Sequence, residues 1–282
     1  MAIILAQNDY GEARIRLYKV ARQPDRHDFK DLTLGIQFEG DFEASYTTGD
    51  NRGILPADTI RNTVYALAKL YSIEQIEDFA QRLIDHFLAD NRQLARVRVE
   101  IAENFWTRIP FGGKAHPSSF TPAGPERRTA VVSGTREAVS IEAGLDNLAI
   151  VKTAGATFEG YRRDPFTTLE ETHERMLSTA VTASWLYADN EIPYGVYWHG
   201  VREAIVETMV EHQSRSMQNT LHAVAEAVLE RYEDIVEVQL SVPNLHGELV
   251  DLSRFGLENN NEIFAPAEQP FELIRARVRR SS

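Results

Sequence analysis

Apolar and polar residues alternate along Arg14–Val20 and again along 33–46, where Leu34, Ile36 and Phe38 share one face. A polar stretch rich in Asp, Arg and Pro separates the two, so they predict a long antiparallel hairpin. The period then lengthens. Asp58 precedes Ile60, Val64 and Leu67, the order of an N-cap and an amphipathic helix. Ser72-Ile73-Glu74-Gln75 reads as a capping box opening a second helix, striped by Ile76, Phe79, Leu83 and Phe87. Strands are expected near 94–102 and 127–134.

The second half repeats this order without a residue-level repeat. Strands are expected near 138–152 and 179–187, with a short segment between them opened by the capping box Thr167-Thr168-Leu169-Glu170. Helices follow at roughly 196–212 and 214–231. In 235–242, Val236, Val238, Leu240 and Val242 face one way, and Glu237, Gln239 and Ser241 the other. A last strand spans about 271–279. Hairpin, helix pair and strands, twice over, predict an α+β chain of antiparallel sheets with helices on one face, in two modules at 1–136 and 137–282. Sheet edges left open by this arrangement need pairing, so a homo-oligomer is expected.

Composition narrows the function. With 30 Lys plus Arg against 42 Asp plus Glu, the net charge of −12 and pI near 5.2 argue against nucleic acid as a partner. The lack of cysteine removes disulfides, thiolate nucleophiles and Cys-ligated zinc together. Ile3-Ile4-Leu5-Ala6 is too short for a signal peptide or membrane span, and the closing Arg280-Ser281-Ser282 is no peroxisomal tail. These features fit a cytoplasmic protein with no membrane partner.

Phosphate-binding glycine loops, a nucleophile elbow and a His-Glu-x-x-His helix are all missing from the sequence. His199 and Glu203 stand four apart on an expected helix, where a solvated face is the favoured reading over a metal site. The strand ending Leu240-Ser241-Val242-Pro243-Asn244-Leu245-His246 is more informative, since it sets two polar side chains two residues apart where the ladder stops. By itself it also fits an ordinary strand end. Other segments accompany it: Tyr10-Gly11 with Arg14-Ile15-Arg16-Leu17; Asp58-Thr59-Ile60 with Asn62-Thr63-Val64-Tyr65; and Phe158-x-Gly160 with Arg163-Asp164. Thr167-Thr168-Leu169-x-Glu171-Thr172, Arg175-x-Leu177-Ser178-Thr179, Gln218-x-Thr220 and Glu262-Ile263-Phe264 complete the set. In this order the segments resemble the urate oxidase family from residue 10 to about 279.

The resemblance implies tandem tunnelling-fold modules that close into an oligomeric barrel, a homotetramer, with active sites at subunit interfaces. It implies an oxidoreductase acting on a purine-like heterocycle with O2, using no metal or organic cofactor. Phe158 would stack under the ring, Arg175 and Gln218 would grip its edge with Met217 beside them, and Asn244 and His246 would line the face where oxygen or water binds. Backbone amides of Ala57 and Asp58 would meet the far edge. Each residue has a plainer reading as well: Phe158 as core, Arg175 and Gln218 as solvated, Asp58 as an N-cap.

Two departures stand out. The family's motifs carry Lys where this chain has Glu12 and Thr where it has Ala57, a pair that handles protons with the histidine. Ala57 keeps its N–H but has no hydroxyl. An ionised carboxylate at about 4 Å in an effective dielectric near 20 is worth on the order of 4 kcal/mol, with sign opposite to that of lysine. Such a Glu12 opposes an anionic ring such as urate and favours an aminopurine, or serves as a general base. Lys19 and Lys69 are the nearest lysines, and neither occupies the motif position. A non-catalytic purine binder is the alternative.

Overall fold

The computed structural model describes residues 3–245, 247–266 and 272–281, with the side chains of Asn244 and Glu272 outside that description. Its contacts separate two compact units, Met1–Gly144 with Leu186–Gly195, and Leu145–Trp185 with Val196–Ser282.

In the first unit, β1 (Tyr10–Arg22) and β2 (His27–Gly40) precede a short α1 (Glu43–Thr47), α2 (Ala57–Leu70), α3 (Ile76–Asp90), β3 (Leu94–Phe111) and β4 (Lys114–Gly134). The strands lie in the order β1-β2-β3-β4, each antiparallel to the next. The alternation in β2 does what the sequence pattern says: Leu32, Leu34, Ile36 and Phe38 are buried, as are Val97, Val99 and Ile101 of β3. Helix α2 contributes Ile60, Val64 and Leu67 to the buried set, and α3 contributes Ile76, Phe79, Leu83, Ile84 and Phe87. Each such side chain stabilises by roughly 1.5–3 kcal/mol relative to exposure, as an upper estimate. Glu77 at the head of α3 is fully buried and accepts from Arg128 of β4 at 2.6 Å; burial pushes its carboxyl up against the pull of that guanidinium.

The second unit holds the greater part of β5 (Val139–Lys152), β6 (Leu177–Tyr187) and α4 (Tyr194–Glu211). It continues with α5 (Met217–Arg231), β7 (Ile235–Asn244), a two-stranded pair β8 (Gly247–Leu249) and β9 (Phe264–Pro266), and β10 (Glu272–Arg279). The order is β5-β6-β7-β10, with β10 antiparallel to β7. Val201, Ala204 and Ile205 of α4 and Leu221, Val224 and Val228 of α5 are buried, as are Val238, Leu240 and Val242 of β7. Helices over antiparallel strands, twice, make the α+β tunnelling fold.

Local signals differ from expectation at four places. Helix α2 begins at Ala57 with Pro56 as N-cap, because Pro56 has an extended ψ of 145° and its ring disfavours helical backbone at the preceding Leu55. Asp58 therefore sits inside the first turn, where it accepts from Asn62 at 3.0 Å. Helix α3 begins at Ile76, so the Ser72 hydroxyl lies too far upstream to cap it. Thr167 opens no helix; its hydroxyl accepts from the Asp164 N–H at 2.9 Å and donates to that residue's carboxylate at 3.0 Å, closing a tight turn. Finally, β3 and β4 run on through 103–126 as one long hairpin, turned at Gly112 and Gly113 with φ of 58° and 77°. Two left-handed residues in a two-residue loop match the right-handed twist of the strands, which is why glycines occupy both.

Candidate active site

The Tyr10-Gly11 motif is set by backbone approach. A Cβ at Gly11 would lie 1.8 Å from the Ile36 carbonyl oxygen, so only glycine lets β1 pair with β2 there. Directly after it, the register shifts between Glu12 and Ile15, with Arg14 in the left-handed region at φ 58°. Such a bulge bends the strand and re-aims its side chains. Glu12 faces α2, where its Oε1 accepts from Arg61 Nη2 at 2.8 Å and Nε at 3.2 Å. Ala57 and Asp58 are exposed one turn before Arg61 on the same helix. The first backbone bond of the helix runs from the Ile60 N–H to the Pro56 carbonyl, so the N–H groups ahead of it point outward without helical partners.

The second unit gathers another set. Phe158 exchanges backbone bonds with Thr172, at 2.8 and 3.0 Å, which closes the intervening loop at its base. Inside that loop Gly160, at φ 70°, donates to the Glu171 carboxylate at 3.0 Å. The Arg175 N–H donates to the Ala156 carbonyl at 2.9 Å, which fixes the arginine beside the loop. Its guanidinium carbon lies 5.7 Å from the centre of the Phe158 ring. Helix α5 arrives from the other side. Its N-cap Ser216 accepts from the Asn219 N–H at 3.1 Å, and Thr220 donates to Ser214 at 2.8 Å in a buried position. A cavity of about 130 Å³ results, lined by Phe158, Arg175, Met217 and Gln218 together with Thr157 and Ile274.

Neither the Arg175 guanidinium nor the Gln218 amide makes a hydrogen bond to a described side chain or carbonyl, so both are available to a ligand. A fork of N–H donors beside an aromatic face, with an amide that both donates and accepts, suits the edge of a planar lactam. The Phe158 ring also stacks on Tyr161, at 5.0 Å between centres and 15° between planes, which the motif reading did not foresee. Asn244 ends β7, and that strand end is tied to β6: Thr179 donates to the Pro243 carbonyl at 2.7 Å, and the Leu245 N–H to the Ser178 carbonyl at 2.9 Å. His246 lies outside the described residues.

Thus Phe158, Arg175, Met217 and Gln218 meet in one cavity of the second unit, while Glu12, bonded to Arg61, and the exposed Ala57 and Asp58 belong to the first. Arg61 was missed by motif reading; its place four residues after Ala57, on the same helix face, was the available signal. His199 and Glu203 are exposed on α4, and among the described residues no group of three or more His, Cys, Asp or Glu could hold a metal ion. No described helix is long and apolar enough to cross a membrane.

Two units of helices over antiparallel strands, one carrying a cavity with an aromatic ring, a guanidinium and an amide, define a tunnelling-fold protein suited to a planar heterocycle. The family model described as Uricase matches residues 8–133 and 141–275. A uricase of Arthrobacter globiformis is 39% identical over 280 residues, covering 99% of this chain and 90% of the relative, and one of Dictyostelium discoideum is 34% identical, covering 98% of each. The crystal structure of the Arthrobacter globiformis uricase superposes with a TM-score of 0.94 at 38% identity, covering 99% of this chain and 96% of that one. The chain belongs to the uricase family.

Proposed function

We propose that this protein is a cofactor-free oxidoreductase acting on a urate-like or aminopurine-like heterocycle, with O2 as electron acceptor. The observation that carries the reading is the cavity in which Phe158, Arg175 and Gln218 converge with their polar groups uncommitted. A deprotonated, electron-rich ring supplies electrons to oxygen directly, so the protein's part is orientation and electrostatics. In this reading Arg175 makes a bidentate contact to a ring carbonyl and nitrogen, Gln218 matches the lactam, and Asn244 and His246 line the oxygen face. Ala57 and Asp58 offer backbone N–H groups to the far edge from a neighbouring subunit of a homotetramer. The modules 1–136 and 137–282 are the repeating halves of that barrel.

Glu12 and Ala57 stand where the family's motifs have Lys and Thr, so we infer that proton handling has changed and that ordinary urate oxidation is weak. The same two residues favour a second reading, a purine binder without turnover: the Glu12 carboxylate is engaged by Arg61, and a methyl group cannot shuttle a proton. Incubation with a panel of purines, following oxygen uptake and ligand-induced thermal shift together, separates the two. Shift with uptake supports the enzyme, shift alone supports the binder, and absence of both overturns the purine site.

A further inference from the structure

Glu12 is not an isolated negative charge. Arg61 reaches it from α2 with two donors, Nε and Nη2, and both bonds end on the same oxygen, Oε1. Among the described residues Arg61 is the one cation bonded to it. Of the other charges nearby, exposed Arg14 in the same bulge makes no ion pair with a described residue, and several others are engaged elsewhere. Arg98 is paired with Glu100 at 2.7 Å, Asp9 accepts from Gln37 at 2.6 Å, and Asp58 accepts from Asn62. Lys19 is held by the Ala68 and Tyr71 carbonyls at the far end of α2. The third guanidinium nitrogen of Arg61, Nη1, has no hydrogen bond to a described residue, and 43% of the side chain is exposed. Arg61 also shares a helix face with Ala57, one turn back.

We propose that Arg61 sets the charge of ligand this site accepts: it cancels the Glu12 carboxylate and presents Nη1 as a donor beside the exposed first turn of α2. This rests on the purine-site reading above and adds its charge selectivity. Because the pair is neutral as a whole, the carboxylate on β1 does not exclude an anionic ring. Removing Arg61 leaves that carboxylate uncompensated, and removing Glu12 leaves a net cation. The two changes therefore have opposite signs for an anion and little effect on a neutral ring of the same shape.

The test is calorimetric titration of wild type, Arg61→Gln, Arg61→Lys, Glu12→Gln and Glu12→Gln with Arg61→Gln, using urate, an anion near neutral pH, and hypoxanthine, which is neutral there. Arg61→Gln is expected to weaken urate about tenfold, a one-charge effect moderated by partial exposure, and hypoxanthine less than about threefold. Arg61→Lys should retain most urate affinity, Glu12→Gln should bind urate more tightly than wild type, and the double variant should return near wild type. Equal loss of both ligands in Arg61→Gln would mean that the arginine only holds the fold, and overturns the proposal. Should that variant fail to fold, Glu12→Gln decides: unchanged or weaker urate binding overturns it. Failure of wild type to bind either ligand overturns the purine-site reading itself, and this proposal with it.

Discussion

The heads of α2 and α5 are built on opposite plans. Helix α5 is capped by the Ser216 side chain, starts on a buried Met217, and is tied beneath by the Thr220–Ser214 bond. Helix α2 starts after Pro56 with no side-chain cap, and its first residues, Ala57 and Asp58, are exposed. The α5 residues that wall the cavity are thus rooted in packing and capping, whereas Ala57 and Asp58 project from a helix start that the fold does not bury. Chemistry at the head of α2 can change at little cost to stability, while chemistry at the head of α5 cannot. This is the physical setting in which a substitution at position 57 would leave the fold intact.

The largest expected effect comes from rebuilding the exposed head. Glu12→Lys with Ala57→Thr should raise urate oxidation on the order of 10²–10⁴-fold, the usual weight of acid–base groups. Either change alone should do far less, because such groups act as a unit. Urate absorbance and oxygen uptake, recorded together for wild type, both singles and the double, measure it. Efficient urate oxidation by the unmodified protein would break the comparison. In the cavity that the head of α5 walls, Arg175→Ala and Gln218→Ala should each weaken the best purine ligand by about 1–3 kcal/mol, read by titration. Wild-type affinity in both variants would remove the proposed grip.

Stability sharpens the contrast further. Ser216→Ala should lower unfolding free energy by about 1 kcal/mol, and Asp58→Ala by no more than about 0.5 kcal/mol, in denaturant titrations. Equal losses would show that both heads bear on the fold. The smallest expected effect is none: chelator treatment should leave activity unchanged and elemental analysis should find no stoichiometric transition metal. A tightly bound metal in equal ratio to the chain would contradict the proposed chemistry.

What could be read from sequence follows where burial imposes a period. Strand β2 and helices α2 and α3 were legible because one face of each enters a core. The stretch 103–126 was not, since the far part of the β3–β4 hairpin is exposed on many positions of both faces and carries no alternation. Helix starts misled for a related reason: Asp58, Ser72 and Thr167 are residues that cap, but the first is already in the helix, the second is too far upstream, and the third turns back on Asp164. The residues gathered around Phe158 were found by motif order. Arg61 and Tyr161 escaped because their roles arise from contacts that no motif encodes, one across 49 positions of sequence and one between residues three apart in an irregular loop.

Helix α2 is fastened to β1 at both ends, by Arg61 to Glu12 near its first turn and by Lys19 to the Ala68 and Tyr71 carbonyls at its last. Two fasteners of opposite polarity, separated along one strand, leave the helix no easy way to peel from either end. In amide-exchange terms the strand and helix should open as a single cooperative unit rather than fray separately. For anyone transplanting this rim into another member of the family, the portable piece is therefore β1 together with α2, and the helix moved without its strand would arrive with both anchors cut.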